Sequence, residues 1–226
     1  MKSVQQLQTI INYHFNDELL LQTAITHRSY SKNKNNERLE FLGDSVLGLV
    51  ISGYLFKRLD TAAEGELSRV RASLVKEDAL ATVARDINLG EFLLLGSGEL
   101  KSGGYRRASI LSDALEAIFG AIYLDAGFDQ CEKTILFLYE DYLVTLPSSV
   151  DLKDPKTTLQ EYLQSRKVEL PVYKVTKTEG KSHDQIFTIE CSVTGLNIVA
   201  TGKGSSRKKA EQMAAAEALK QAQNGK

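Results

Sequence analysis

The sequence predicts an all-α domain followed by a small α+β domain of order α-β-β-β-α, and three observations carry that prediction. Apolar residues recur at helical spacing through most of the first 147 residues. Beyond a polar stretch, PSSVDLKDPK, around residue 150, the pattern changes to period-two alternation. The charge changes sign at the same place: residues 1–150 carry 15 Lys and Arg against 20 Asp and Glu, a balance of −5, whereas residues 151–226 carry 13 against 9, a balance of +4. Such asymmetry points to a division of labour in which the basic section meets a polyanion.

Taken in order, helices are predicted over Leu19 to Thr26, Glu37 to Leu59, Leu67 to Asn88, Ile110 to Asp125 and Glu132 to Leu143, separated by Gly-rich and polar turns. No useful period-two run interrupts them, so the helical domain spans roughly residues 3–147. The second domain opens with a helix, TTLQEYLQSR, followed by strands in VYKVTKT, QIFTIECSV and NIVATGK and a closing helix in RKKAEQMAAAEALKQA. In the middle strand Phe187, Ile189, Cys191 and Val193 alternate with Thr188, Glu190, Ser192 and Thr194, which gives one core face and one wet face. Both helices then pack on the apolar side of a three-stranded antiparallel sheet.

Composition narrows the function classes. With 226 residues, 42% hydrophobic and 25% charged, the chain has the mix of one or two packed domains, which excludes a disordered or fibrous protein. The opening MKSVQQLQTI lacks the apolar core of a leader, and no run approaches eighteen uninterrupted apolar residues, so neither export by a signal peptide nor a membrane partner is expected. Cys131 and Cys191 stand sixty positions apart without a CxxC, which excludes a disulfide framework or a cysteine zinc site and predicts a reducing, cytoplasmic setting.

Two predicted helices carry carboxylates where an apolar coat is otherwise nearly continuous. In Glu37 to Leu59 the acids Glu37, Glu40 and Asp44 lie within about 60° of one another on the helix, at roughly 100° per residue. In Ile110 to Asp125 the pair Asp113 and Glu116 repeats the arrangement. An unpaired buried carboxylate costs several kcal/mol, and clustering raises the cost, so something compensates. Arg28, Arg38, Arg69 and Arg71 are candidate salt-bridge partners, and Glu37 and Asp113 are candidate first-turn residues that favour a helix N-terminus. The alternative is divalent metal: Glu40, Asp44, Asp113 and Glu116 balance two Mg²⁺ ions in charge, and hard oxygen donors suit Mg²⁺ or Mn²⁺. A di-iron bundle calls for Glu-x-x-His, but Gly43 and Phe119 follow three residues after Glu40 and Glu116. Nothing marks a Ser or Cys nucleophile, and His27 in THRSY reads as a helix-end or packing residue.

The last helix starts near Ser205 or Ser206, plausible N-caps, and then places Arg207, Lys208 and Lys209 in a first turn that is already positive. A solvated charge run and a phosphate-binding helix start are both open readings.

Together DPKTTLQEYLQ, EGKSHDQIFTIEC and GKGSSRKKAEQMAA resemble a double-stranded RNA-binding domain. That resemblance implies a grip on about 16 bp, with Thr157, Gln160, Glu161 and His183 facing minor grooves and Arg207, Lys208 and Lys209 on phosphates. NERLEFLGDSVLGL and ILSDALEAIFGAIYLD resemble the two catalytic helices of bacterial ribonuclease III, and the likeness covers almost the whole chain. It implies a catalytic domain over residues 3–128, with a last helix and linker to about 153, and an RNA-binding domain over 154–224. It implies Glu40, Asp44, Asp113 and Glu116 as metal ligands, with Asp44 and Glu116 the most critical, and Glu37 and Glu64 as secondary acidic positions. The expected activity is Mg²⁺-assisted endonucleolytic hydrolysis of double-stranded RNA, including rRNA precursors and some mRNAs and tRNAs. It leaves 5′-phosphate and 3′-hydroxyl ends with short 3′ overhangs. A homodimer with Phe41 at its interface is also implied. GELKSGGYRR is either a glycine-rich turn or a loop bringing Arg106 and Arg107 to RNA. The rival classes are an RNA-binding protein that does not cut, for which four clustered acids have no use, and a di-metal redox bundle.

Overall fold

A computed structural model describes residues 3–146, 154–180 and 185–224. Two compact units divide near residue 150.

The first unit is helical. Helix α1 (Val4–Ile10) opens on a capping box, in which the Ser3 hydroxyl accepts from the Gln6 N–H and Gln6 accepts from the Ser3 N–H. Helix α2 (Glu18–Ala24) is capped by Asp17. The long α3 (Glu37–Arg58) has Glu37 and Glu40 in its first turn and Lys57 and Arg58 in its last, each complementing the helix dipole. The stretch predicted as one helix from Leu67 to Asn88 is two, α4 (Glu64–Val75) and α5 (Glu77–Asp86), because Lys76 between them takes an extended backbone with ψ 155°. A short α6 (Ser97–Lys101) precedes α7 (Ala108–Ala126), which stops at Gly127, whose φ of 80° a glycine adopts without a Cβ penalty. The last predicted helix is likewise split, into α8 (Phe128–Leu138) and α9 (Glu140–Val144), at the buried Tyr139.

Helix α7 is the axis of this unit. Ile110, Leu111, Leu115, Ile118, Phe119 and Ile122 are buried, and Leu39, Val46, Leu47, Val50 and Ile51 of α3 are buried as well. Each such side chain contributes about 1.5–3 kcal/mol on burial. At the far end of α7 the Asp125 carboxylate accepts from the Asn16 and Asp17 N–H groups, at 2.8 and 2.9 Å, and from the Tyr13 hydroxyl, tying the N-terminal segment to the core.

The second unit has α10 (Pro155–Ser165), strands β1 (Val172–Glu179), β2 (Ile186–Val193) and β3 (Ile198–Gly204), and α11 (Arg207–Asn224). The sheet is antiparallel in the order β1-β2-β3, with Cys191 opposite Tyr173 and Ala200. Leu159 and Leu163 of α10 and Ala210, Ala214 and Ala218 of α11 cover its apolar face. Alanines let α11 lie close to the sheet, and Gly202 completes the fit: a Cβ there would come within 2.2 Å of the Ala214 nitrogen.

Candidate active site and nucleic-acid interface

Helices α3 and α7 touch backbone to backbone. A Cβ on Gly43 would lie 1.7 Å from the Glu116 carbonyl oxygen, and one on Gly120 would lie 2.2 Å from that of Leu39. This close crossing carries Glu40, one turn before Gly43, toward Asp113 and Glu116. Carboxylate oxygens of these three residues lie within 4.8 Å of one another.

Such proximity raises proton affinity. Burial, followed by the charges of Asp44, Glu40 and Asp113, pushes the Glu116 carboxyl up to about 8. Burial, then Asp113 and Glu37, also lifts Glu40 above the usual carboxylate range, against the pull of Arg28. Asp113 is raised chiefly by burial, although the Ser112 hydroxyl bonds its carboxylate at 3.3 Å. Among the described residues no Lys or Arg is within ion-pair distance of Glu40, Asp44, Asp113 or Glu116. The salt-bridge reading therefore applies to Glu37 alone, which pairs with Arg28 at 3.3 Å. Arg71 instead donates to the Ser52 hydroxyl. Three half-buried carboxylates with no described Lys or Arg within ion-pair distance fit a hard divalent ion.

Asp44 does not join the tight group. It is exposed, one turn beyond Glu40, and reaches Glu116 through its charge. Glu64, at the start of α4, accepts from Ser68 and lines a separate hollow with Phe56 and Arg71.

A cavity of about 500 Å³ opens beside Glu40 and Asp113. Its wall includes His27, Ser29, Arg28 and Arg107, with Arg107 tethered to Glu99 at 2.7 Å. His27, which the sequence places at a helix end or in packing, is half-buried, follows α2, and faces this cavity. Glu99 and Ser29 carry no local signal of their own, because only the fold brings them here. GELKSGGYRR forms α6 and a short 3-10 turn, Gly104–Arg106, in which Arg106 lies over the Tyr105 ring.

In the second unit Thr157, Gln160 and Glu161 are exposed on α10. Ser206 caps α11, its hydroxyl accepting from the Lys209 N–H at 3.2 Å, and Arg207, Lys208 and Lys209 are exposed in that first turn. His183 lies outside the described residues.

Comparisons with known proteins agree with this division. A profile for ribonuclease-III-like domains matches residues 17–142, and one for the double-stranded RNA binding motif matches residues 155–222. Ribonuclease 3 of Shewanella amazonensis is 55% identical over 97% of this chain and 96% of its own length. A crystal structure of the nuclease domain of ribonuclease III from Campylobacter jejuni has a TM-score of 0.62 and 48% identity, covering 65% of this chain and all of that one. Another structure of that domain, described as flexible in a region involved in dimer formation, has a TM-score of 0.61 and 49% identity over 62% of this chain and 97% of its own. With a carboxylate cluster in the first unit and a basic helix start in the second, the chain belongs to the ribonuclease III family of divalent-metal-dependent, double-strand-specific endoribonucleases.

Proposed function

We propose that the enzyme uses Mg²⁺, replaceable by Mn²⁺, held by Glu40, Asp44, Asp113 and Glu116, and that Asp44 and Glu116 are its most critical residues. One observation carries this reading: three carboxylates from two helices converge within 4.8 Å with no described Lys or Arg within ion-pair distance of them. When bound, the cations supply charge that activates water and offsets the negative charge developing at the phosphate. The chain itself positions the ligands through the α3–α7 crossing. Glu116 releases its proton when a cation takes the site, and Asp44, exposed beside it, is open to approach from solvent. Arg107 stands on the cavity wall, where a flanking phosphate passes. In this reading water is the attacking nucleophile and the RNA 2′-hydroxyl serves recognition, so the products carry 5′-phosphate and 3′-hydroxyl ends.

In this reading the protein is a homodimer. Phe41, Leu49 and Phe56 of α3 are 78%, 59% and 72% exposed, and Phe41 borders a hollow of about 740 Å³ lined in part by Leu20, Leu42 and Leu124. Helix α3 is long and apolar enough to cross a membrane by length and composition, yet its carboxylates belong to the cluster. A second copy covers the remaining apolar face. Glu37 and Glu64 then serve as secondary acidic positions on the rim of a cleft formed by two copies. Two sites, each cutting one strand, leave short 3′ overhangs. Thr157, Gln160, Glu161 and His183 read minor grooves, and Arg207, Lys208 and Lys209 hold phosphates. Precursors of ribosomal RNA, with some mRNAs and tRNAs, are the substrates, and the buried free thiols Cys131 and Cys191 suit the cytoplasm.

The test is incubation of the purified chain with an end-labelled RNA duplex in Mg²⁺ or EDTA. Discrete products in Mg²⁺, ligatable at their 5′ ends without added kinase, support the reading. RNA left intact in both Mg²⁺ and Mn²⁺ overturns it.

A further inference from the structure

In the second unit, α10 and α11 are tied together by side chains other than those assigned to RNA. Asp154 caps α10: its Oδ1 accepts from the Lys156 N–H at 2.9 Å and from the Thr157 N–H at 3.3 Å. The other carboxylate oxygen, Oδ2, accepts from the side-chain amide of Gln212 on α11. One carboxylate therefore starts one helix and grips the next. Beside it the Lys156 ammonium lies 2.6 Å from Glu211 Oε2 and 4.4 Å from the centre of the Tyr173 ring on β1. Further along, the Tyr162 hydroxyl of α10 donates to the Ala222 carbonyl of α11 at 2.8 Å. The two helices are held in one register.

These ties sit next to the residues assigned to RNA. Thr157 is the third residue of α10, and its N–H is one of those that Asp154 holds. Glu211 follows Arg207 by four residues and Lys208 by three, and Gln212 stands in the same relation to Lys208 and Lys209, so both lie one turn beyond the basic start of α11. Asp154, Lys156, Glu211 and Gln212 are half-buried, whereas Thr157 and the three cations are exposed. An RNA duplex is recognised by its shape, through contacts spaced across successive grooves. A surface that reads shape needs its contact points at a set separation. Resting on the RNA-contact assignments above, we infer that the Lys156–Glu211 and Asp154–Gln212 pairs are positioning residues for duplex recognition. They hold the minor-groove face of α10 and the phosphate-holding start of α11 at the separation that A-form RNA presents.

Charge and geometry make opposite forecasts for Glu211→Lys. By charge alone, replacing an acid with a base one turn from the phosphates tightens RNA binding; a positioning role makes it weaker, because the new lysine repels Lys156. Binding of the full chain in EDTA is measured by fluorescence anisotropy at low salt, on an RNA duplex of about 20 bp and on a DNA duplex of the same sequence, alongside a thermal melt. The expected result is that Glu211→Lys raises the Kd for RNA about tenfold without weakening DNA binding. The swap Lys156→Glu with Glu211→Lys, which restores an opposite pair at the parent's net charge, returns RNA affinity to within about threefold of the parent. Gln212→Ala, which cuts the other tie without changing charge, weakens RNA binding about threefold. The inference is overturned if Glu211→Lys binds RNA as tightly as the parent or tighter, if the swap stays as weak as the single variant, or if RNA and DNA binding fall equally. If Glu211→Lys does not fold, Gln212→Ala decides alone, and unchanged RNA affinity there counts against the inference. A parent protein that binds no RNA duplex, or a Lys208→Ala, Lys209→Ala double variant with the parent's affinity, would instead sink the RNA-contact assignments themselves.

Discussion

Gly43 of α3 and Gly120 of α7 face each other across the helix crossing: a Cβ on Gly43 would lie 2.9 Å from the Gly120 nitrogen, and one on Gly120 would lie 3.1 Å from the Gly43 nitrogen. Backbone fills the space on both sides, so neither position has a flexible side chain that could yield. Gly43→Ala must therefore push the helices apart or distort one of them. Overpacking of this kind costs about 1–3 kcal/mol or more, lowering Tm by several degrees, at roughly 2–4 °C per kcal/mol. The same displacement separates Glu40 from Glu116, so Mn²⁺ uptake and cleavage should fall together with stability. A Gly43→Ala protein that melts, binds Mn²⁺ and cuts like the parent would show that the carboxylates do not depend on this crossing.

Glu116 ties stability to pH with a definite sign. Its carboxyl moves from an ordinary value of 4.5 to about 8 in the folded state, mainly through burial. Between those values the folded protein holds a proton that the unfolded chain has released. The metal-free protein therefore loses stability as pH rises from about 4.5 to 8, with no further loss from this group above that window. Glu116→Gln removes the titration, so its metal-free Tm should fall less between pH 5.5 and 8 than that of the parent. Cations compete with the same proton, so the Tm gain from Mn²⁺ in the parent should be larger at pH 8 than at pH 5.5. Cleavage by Glu116→Gln should drop at least about a hundredfold, since several kcal/mol of transition-state stabilisation are lost, while RNA binding by the second unit persists. Equal pH slopes for parent and variant would remove Glu116 as the titrating group.

What can be read from the sequence follows from how local each signal is. Periodicity locates α3 and α7, and acids inside an apolar coat locate the cluster, because both patterns lie within single helices. The break at Lys76 is hidden by an apolar pattern that runs on in phase; the acidic pair Glu77 and Asp78, suited to a first turn, is the available sign. Convergence of Glu40 with Asp113 and Glu116, and the outlying position of Asp44, depend on where two glycines allow the helices to cross. His27 is illegible for the same reason. A lone histidine carries little information until the fold sets it on the wall of the cavity beside Glu40 and Asp113.

The start of α11 makes a prediction about salt. Lys208 and Lys209 are exposed in a first turn whose N–H groups and dipole already favour an anion. If each holds one phosphate, replacing both with alanine should weaken duplex-RNA binding and flatten the plot of log affinity against log salt by about 2. Measuring binding in EDTA across several salt concentrations isolates this effect from cleavage. Weaker binding with the parent slope would mean that these lysines act by holding the fold rather than the phosphates.

Phe41 tests the assembly. It projects from α3 beside Leu42 and Leu124 with most of its ring in solvent, an expensive arrangement for an isolated domain. In a two-fold dimer the same patch occurs on both copies, so the ring of each can enter the hollow of the other, and a single substitution acts twice. Truncating a central aromatic anchor costs about 2 kcal/mol or more; because the proposed dimer would hold this anchor twice, Phe41→Ala should raise the dimer dissociation constant about a thousandfold, at 1.4 kcal/mol per tenfold. Phe41→Glu should leave a monomer at micromolar concentration. Sedimentation velocity reads the change directly, and the melt of the monomeric variant reports whether the helical unit persists without its partner. Phe41 follows Glu40 directly but stands on a solvent-facing side of α3, so loss of the dimer with Mn²⁺ uptake retained would separate assembly from the cluster. A Phe41→Glu protein that still sediments as a dimer would mean that another surface holds the copies together.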